Sequence, residues 1–133
     1  MEHADVVRWL KSARTATLCT VLHDDRAAGF PFGTVVPFDV DDAGTVSIVV
    51  SDLAVHTKNL ERDPRASIVV AEPHDDAHDD DAHDPQAGWR VTLVGTMRKL
   101  PGEARADLPG FRRFVLDVKA TRYIAGFGTM GWL

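Results

Sequence analysis

The sequence predicts a small, mainly β (α+β) fold in which an antiparallel sheet closes into a barrel. Two observations support this prediction. Short segments in which apolar and polar residues alternate recur at close spacing, and only two short segments have helical periodicity. A chain of 133 residues is long enough to bury one hydrophobic core. We therefore expect residues 1–133 to form a single domain without an internal repeat.

The first helix is predicted over residues 3–13, where apolar residues recur at the spacing of one helical face: Val6, Trp9, Leu10 and Ala13. The segment TATLCTVLH follows from Thr15 and alternates with period two, which predicts a strand. We expect its core-facing side to consist of Ala16, Leu18, Thr20 and Leu22.

Two further strands are predicted before the middle of the chain. In FPFGTVVPFDV, Pro31 and Pro37 cannot donate hydrogen bonds to a neighbouring strand, which favours an edge position or bulges. Alternation resumes after the turn DDAG, and we interpret the first three strands as a β-meander. The core-facing residues of these two strands would be Phe30, Phe32, Val36 and Phe38, then Val46, Ile48 and Val50.

The stretch SDLAVHTKNLERDPRASIVV, residues 51–70, contains the second helix and the start of a strand. We expect Ser51 or Asp52 to cap a helix that runs to about residue 62, because Asp63-Pro64 disfavours its continuation. RASIVVA is predicted as the next strand, and WRVTLVGTMRKL as the one after it. The apolar face of the latter would be Trp89, Val91, Leu93 and Met97.

The C-terminal third is predicted to end in two more strands. PGEARADLPG is interpreted as a loop or a helical turn. FRRFVLDV and RYIAGFG are interpreted as a final hairpin whose connection lies near Lys119 to Thr121.

Composition disfavours several classes of partner. The net charge is −5, but the segment EPHDDAHDDDAHDP, residues 72–85, holds seven acids and no Lys or Arg, so the remaining residues carry a net charge of +2. A nearly neutral body without a basic stripe does not favour nucleic-acid binding. No apolar run approaches the roughly 20 residues of a membrane span, so we expect no membrane partner.

The single cysteine and the N-terminal residues bear on the compartment. Cys19 has no second cysteine with which to form an internal disulfide, and its position in a predicted strand favours a small buried apolar side chain over a nucleophile. The N-terminal residues contain no apolar signal core. We therefore expect a cytoplasmic protein.

The acidic segment, extended to residues 72–88, is predicted to be a mobile, solvated loop. His74 and His78 are four residues apart, which on a helix would place both imidazoles on one face for a metal ion. No separately placed ligand pair completes such a site, and we predict no metal centre.

The start of the second predicted helix concentrates groups that bind anions. Helix N-termini attract anions because their first amides lack partners and the macrodipole is positive there. Ser51, His56 and Thr57 add donors, and Lys58 adds a mobile positive charge. By spacing alone, a capped surface helix with solvent-facing His and Lys is the favoured interpretation.

Three segments together resemble a known superfamily. FPFGTVVPFDVDDAG, SDLAVHTKNLERDPRASIVV and WRVTLVGTMRKL, in that order, resemble the FMN-binding split barrels of the pyridoxamine-5'-phosphate-oxidase-like superfamily. The resemblance is greatest to its branch of HugZ-type and CREG-like proteins, which carry the signature SDLA-x-HT-[KR]-N-L-x-x-DPR and an RVTL-x-G strand. Here a late AGFGTMGWL stands in place of that branch's GGFG-like element.

The resemblance implies a six-stranded antiparallel split β-barrel of Greek-key type, with short flanking helices, that forms a homodimer. FMN would lie in two clefts between the subunits, and a small-molecule substrate would bind beside it. The residues that match cofactor-binding positions are Gly33, Thr34, Val35 and Val36 beneath the ring, Ser51 and Asp52 near the ribityl chain, His56, Thr57, Lys58 and Asn59 around the phosphate, Arg90 from across the interface, and Trp132 as a cap.

Departures from the family pattern leave the activity open. The Arg-Lys pair that grips the phosphate in pyridoxamine-phosphate oxidases is replaced by Val55-His56, and their substrate-binding Arg and His have no counterpart here, so that activity is not expected. Haem-degrading members ligate iron with a histidine in a C-terminal extension, whereas the last histidine here is His83. CREG-like relatives keep the fold without flavin.

Three functions therefore remain open from the sequence. We favour an FMN-dependent oxidoreductase acting on an unknown small molecule, in which the flavin would perform the redox step. The alternatives are a haem-binding or haem-degrading protein and a non-enzymatic cofactor-binding member of the fold. Deazaflavin is a further candidate cofactor. No Ser-His-Asp, Cys-His or paired-carboxylate arrangement indicates a separate catalytic group, so the catalytic residues stay unassigned.

Overall fold

The computed structural model describes residues 1–74, 84 and 86–133, and these residues form a mainly β fold with two helices. The predicted mainly β fold class is therefore confirmed, although the sheet has eight strands where the resemblance implied six. In chain order the elements are α1 (His3–Lys11), β1 (Thr15–Val21), β2 (Pro31–Pro37), β3 (Asp39–Val40), β4 (Val46–Ser51), α2 (Val55–Arg62), β5 (Arg65–Ala71), β6 (Arg90–Lys99), β7 (Phe111–Gly126) and β8 (Thr129–Trp132).

The strands form one antiparallel sheet in the order β2-β1-β5-β6-β7-β4-β3, with β8 beside the C-terminal part of β7. β2 and β3 lie at opposite ends of this order, yet only Phe38 separates Pro37 from Asp39. Consecutive Cα atoms are about 3.8 Å apart, so the two ends of the sheet must approach each other. The sheet consequently curls into a half-barrel, and Phe38 is buried at the point where its ends meet.

The inside of the half-barrel is the hydrophobic core, and the predicted faces point into it. Helix α1 covers one part of this core, and Trp9 stacks on Trp89 with ring centroids 5.3 Å apart. Three predicted core residues are exceptions: Phe30 precedes β2 and is 65% exposed, and Leu22 and Phe32 are half-buried. The core-facing strand residues confirmed as buried are Ala16, Leu18, Thr20, Val36, Phe38, Val46, Ile48, Val50, Trp89, Val91, Leu93 and Met97.

The predicted β-meander is wrong, although the edge position of β2 is confirmed. β2 pairs with β1 only, whereas β4 pairs with β3 and with β7. Pro37 ends β2 because it cannot donate to the ladder, and the chain then crosses to the other end of the curled sheet. The turn DDAG therefore joins β4 to the two-residue strand β3.

The predicted final hairpin near Lys119 is also wrong. Residues 111–126 form one continuous strand, and the hairpin turn lies at Phe127 and Gly128, where Gly128 has φ 73°. Val94 pairs with Ala120 and Gly95 with Val118, so Lys119 is the extra residue of a β-bulge. The sequence around Lys119 contains no glycine or proline to make a turn, and the bulge bends the strand without breaking it.

Helix α2 begins later than predicted. Its N-cap is Ala54, which makes no side-chain cap, and neither Ser51 nor Asp52 occupies the cap position. Its end is as predicted, because Arg62 is the last helical residue and Asp63-Pro64 follow in extended conformation. The segment from Ser51 to Ala54 is thus a separate turn that leads into the helix.

Candidate functional site

The turn before α2 is held together by Ser51. Its side-chain oxygen accepts a hydrogen bond from the Leu53 amide at 3.1 Å, and its carbonyl accepts one from the Ala54 amide at 3.1 Å. The hydroxyl of Thr57 also donates to that carbonyl, at 2.6 Å. The Thr57 side chain is fully buried, so it fixes the turn against the first turn of the helix.

Asn59 holds the same helix against β1. Its side-chain oxygen accepts a hydrogen bond from the His23 amide at 2.9 Å, and its side-chain nitrogen donates to the Thr20 hydroxyl at 3.0 Å. Asn59 is 1% exposed. Two of the predicted phosphate ligands, Thr57 and Asn59, are therefore interior residues whose polar atoms bond within the protein, and their role is to position α2.

His56 lies between α2 and the edge strand β2. Its Nδ1 is 3.2 Å from the hydroxyl oxygen of Thr34, and the ring is half-buried. Burial lowers the pKa of the His56 imidazole below its usual value, so the ring is neutral at pH 7. No group in the described part of the chain forms a hydrogen bond with Nε2 of His56.

The first amides of α2 form an electropositive end beside this imidazole. The earliest amide of the helix with a backbone partner is that of Lys58, which donates to the Ala54 carbonyl at 3.2 Å. Within residues 1–74, 84 and 86–133, no protein acceptor pairs with the amides of Val55, His56 or Thr57. Such amides, together with the helix dipole, favour a negatively charged group.

Lys58 lies on a different side of the helix from His56. Residues two positions apart on an α-helix are separated by about 200° around its axis. Lys58 lines a cavity of about 310 Å³ together with His23, Asp24 and Asp25. The structure therefore separates the predicted phosphate-binding residues into two places: the region between β2 and the start of α2, where Thr34 contacts His56, and the cavity beside Lys58.

Asp52 is held by β7, the strand paired with β4. Nε of Arg112 lies 3.3 Å from both carboxylate oxygens of Asp52, and Nη1 of Arg112 donates to the Gly102 carbonyl at 2.9 Å. The Asp52 amide donates to the Gly110 carbonyl at 2.8 Å. Arg112 thus positions the turn before α2. It follows Asp52 by 60 residues, and no local sequence pattern marks the pair.

The four residues of β2 that were predicted to bind the flavin ring, residues 33–36, lie on opposite faces of the sheet. Gly33 and Val35 lie on the outside of the sheet, where Val35 is 73% exposed. Val36 is 3% exposed and belongs to the core. Of these four residues, Thr34 is the one that faces His56.

Trp132 lies on the outer sheet face, and Arg90 lies beside it. We define this face as the two rows of residues outside the half-barrel that the strand registers connect. One row is Val35, Thr17, Val69, Thr92, Arg122 and Trp132, and the other is Gly33, Cys19, Ser67, Val94 and Ala120. Trp132 is 64% exposed, and the Arg122 guanidinium lies over its ring at 5.3 Å. Arg90 pairs with Ile124 beside these rows, and its buried Nε has no hydrogen-bond partner.

Two further properties concern the described residues as a set. They contain no group of three or more His, Cys, Asp or Glu side chains arranged to hold a metal ion, and no helix among them is long and apolar enough to cross a membrane. His78 and His83 lie outside the described residues. So do residues 75–83 and 85 of the acidic loop, and the prediction that this loop is mobile stays a prediction.

Comparison with known proteins gives relatives of this fold. The chain is 26% identical, over 92% of its length, to the chloroplastic protein "Non-canonical heme oxygenase HOZ" of Arabidopsis thaliana, of which it covers 41%. A heme binding protein from Mycobacterium smegmatis superposes on 98% of the chain with a TM-score of 0.79 and 28% identity. The chain covers 56% of that protein, so it spans about half the length of these relatives.

A more distant structure shows the fold alone. A protein of the pyridoxinephosphate oxidase family from Clostridium acetobutylicum, related to general stress protein 26, superposes on 97% of the chain with a TM-score of 0.69 and 12% identity, and the chain covers 91% of it. The resemblance to the pyridoxamine-phosphate-oxidase-like split barrels is therefore confirmed. A family model described as "CREG, beta-barrel" matches residues 1–116. With its curled antiparallel sheet and two helices, the chain belongs to the CREG β-barrel family.

Proposed function

We propose that this chain binds haem in the cleft between β2 and the start of α2. The observation that carries the proposal is the 28% identity to the heme binding protein from Mycobacterium smegmatis, which extends over 98% of this chain and includes the whole cleft. The Arabidopsis relative, named as a heme oxygenase, supports the same ligand. Haem binding was the alternative from sequence alone, and it now ranks above an FMN-dependent oxidoreductase.

The residues of the cleft fit the chemistry of haem. Haem carries two carboxylates, a flat apolar macrocycle and an iron that takes nitrogen ligands. The unpaired amides at the start of α2 favour a carboxylate, and Lys58 adds a positive charge on another side of the same helix. The half-buried neutral imidazole of His56 supplies a nitrogen donor.

Bound haem would supply redox and oxygen chemistry at its iron, and this chain would supply the binding surface and its electrostatics. The chain spans about half of the two haem relatives, and we therefore propose binding first and oxidative breakdown of haem as a second step to be tested. No residue of the chain is assigned a proton-transfer role.

We further propose that two copies of the chain associate through the outer sheet face. This face presents Val35 at 73% exposure and Val94 at 39% around small and β-branched residues. Clustered exposed apolar side chains on a sheet mark an interaction surface. The unpartnered Nε of Arg90 beside this face supports an interface in which Arg90 gains a hydrogen-bond acceptor.

FMN is the second candidate ligand. The fold shared with the pyridoxinephosphate oxidase family protein favours it, and the unpaired amides of α2 are equally suited to a phosphate. In that case the chain would act as an oxidoreductase on a small molecule, and deazaflavin is a variant of the same proposal.

A competition experiment separates the candidates. Purified protein is incubated with haemin, with FMN or with both, desalted and measured by visible absorption, beside a His56→Ala/Lys58→Ala double variant. An Arg62→Ala variant, changed at the exposed far end of the same helix, is the matched control. We expect a retained Soret band from wild type and control and its loss from the double variant. Retained flavin bands with no Soret band would replace haem by FMN.

A further inference from the structure

We propose that His56 is the residue of this chain that ligates the haem iron, through Nε2, and that Thr34 is its positioning residue. This inference rests on the proposed haem binding and adds to it the identity of the ligand. It also differs from the arrangement of the haem-degrading proteins that the sequence resembles, in which the ligand belongs to a C-terminal extension.

The hydrogen bond to Thr34 fixes which nitrogen is available. A neutral imidazole has one N–H donor and one lone-pair nitrogen, and a metal-ligating histidine donates its other N–H to a neighbouring acceptor. Nδ1 of His56 is engaged by the Thr34 hydroxyl at 3.2 Å. A hydroxyl accepts as readily as it donates, so the tautomer with a free lone pair on Nε2 keeps this bond intact.

The backbone around His56 is rigid enough to present that nitrogen. Its neighbour Thr57 is fully buried and bonded to the Ser51 carbonyl, and Asn59 is bonded to β1 and to the following loop. The imidazole therefore lies on a helical turn that is fixed on both sides. Sites on fixed elements hold a metal ligand at a defined position more precisely than loops do.

The other side chains in the described part of the chain that could ligate the haem iron lie away from the region between β2 and α2. Nε2 of His3 bonds to the Ala43 carbonyl at 3.3 Å, against the turn between β3 and β4. His23 lines the cavity with Asp24 and Asp25, and His74 lines a separate cavity with Arg14 and Thr15. The sulfur donors are also outside the cleft: Cys19 on the outer sheet face, Met97 in the core, Met130 on β8 and Met1 at the N-terminus.

The test compares the iron spectra of wild type with those of His56→Gly, and His23→Gly serves as the matched control at a neighbouring histidine. Visible absorption and electron paramagnetic resonance of the ferric complex identify a nitrogen ligand independently of any catalytic activity. We expect His56→Gly to lose the imidazole signature and to regain it when free imidazole is added. His23→Gly should be indistinguishable from wild type.

The positioning role of Thr34 has its own readout. Thr34→Val removes the hydroxyl while keeping the shape, and we expect haem affinity to fall by about 10- to 100-fold, with an altered ferric spectrum. Thr34→Ser keeps the hydroxyl and should restore both. A purely structural role would lower folding stability equally in both variants and leave the spectrum of the bound fraction unchanged.

The possible outcomes distinguish the assignment of His56 as the iron ligand from the proposal that the chain binds haem. If wild type binds no haem, both the proposed function and this inference are overturned. If wild type binds haem and folded His56→Gly retains the wild-type spectrum, haem binding stands and the ligand assignment is overturned. Should His56→Gly fail to fold, the conservative variant His56→Gln is measured instead, and its retention of the wild-type spectrum would overturn the ligand assignment.

Discussion

Thr34 and His56 are joined by a side-chain contact of 3.2 Å that links the edge strand β2 to the first turn of α2. The two residues are 22 positions apart in the chain, and this contact lies where the curled sheet meets the helix. The cleft therefore has one wall from an edge strand and one from a helix end. Its chemistry depends on the protonation of a single half-buried imidazole.

Acidification should destabilise the protein through His56. Its pKa is lowered in the folded state by burial, whereas in the unfolded chain it lies near 6.5. The folded state thus binds fewer protons, and stability falls as pH drops from about 7.5 through 6.5, until the folded group also titrates. We expect the melting temperature of apo wild type to fall more between pH 7.5 and 5.5 than that of His56→Gln. Equal changes in the two proteins would contradict the assignment to His56.

Removing the Asn59 side chain should cost substantial stability. Asn59→Ala would leave the buried Thr20 hydroxyl and the His23 amide without their partner, and each such loss costs about 1–3 kcal/mol. Urea unfolding would measure the change in free energy. Lys58→Ala, at the adjacent exposed position, should change it by less than about 0.5 kcal/mol. Equal effects would show that the Asn59 bonds do not hold the helix.

Gly95 should tolerate no side chain. A Cβ at this position would lie 2.1 Å from the Asp117 carbonyl oxygen, and the backbone of β7 cannot move away without breaking the bulge at Lys119. We expect Gly95→Ala to lower the free energy of unfolding by at least about 1–3 kcal/mol. Gly33→Ala is the matched control, since its Cβ would meet its nearest neighbour at 3.6 Å. Unfolding curves that coincide for the two variants would contradict the close approach of β6 and β7.

Self-association should depend on the outer sheet face. Val35→Lys places a charge at the exposed centre of an edge strand, and it would be buried unpaired in the proposed interface. We expect sedimentation equilibrium to show a weakened dimer, while the melting temperature of the monomer stays within about 2 °C, as for surface substitutions. Leu53→Lys, at another exposed apolar residue away from this face, should leave association unchanged. A monomeric wild type would overturn the interface proposal.

The faces of the strands could be predicted from the sequence because one side of each strand is buried. Val46, Ile48 and Val50 alternate in the sequence and are all in the core. Strand pairing could not be predicted in the same way, since alternation identifies a face and carries no information about the neighbour. β4 illustrates this, because its partner β7 comes more than sixty residues later.

Only part of the candidate site could be predicted from the sequence. The helix and its anion-binding end were predictable from SDLAVHTKNL, but which side chains face outward depends on where α2 begins. A start at Val55 places Thr57 and Asn59 inside and His56 at the mouth of the cleft. Arg112 escaped prediction because its role arises from a contact between distant segments.

The pairing of β4 with β7 has a consequence for biosynthesis. Arg113 donates to the Ser47 hydroxyl at 2.8 Å, and the two residues are 66 positions apart, so the sheet closes only when the last quarter of the chain is available. Contacts of such long sequence separation slow folding, because the loop must close before they form. A nascent chain leaving the ribosome would hold β4 without its partner β7 for several seconds at ordinary rates of synthesis, about 5–20 residues per second. During that interval the edge of β4 that later pairs with β7 would be open to aggregation.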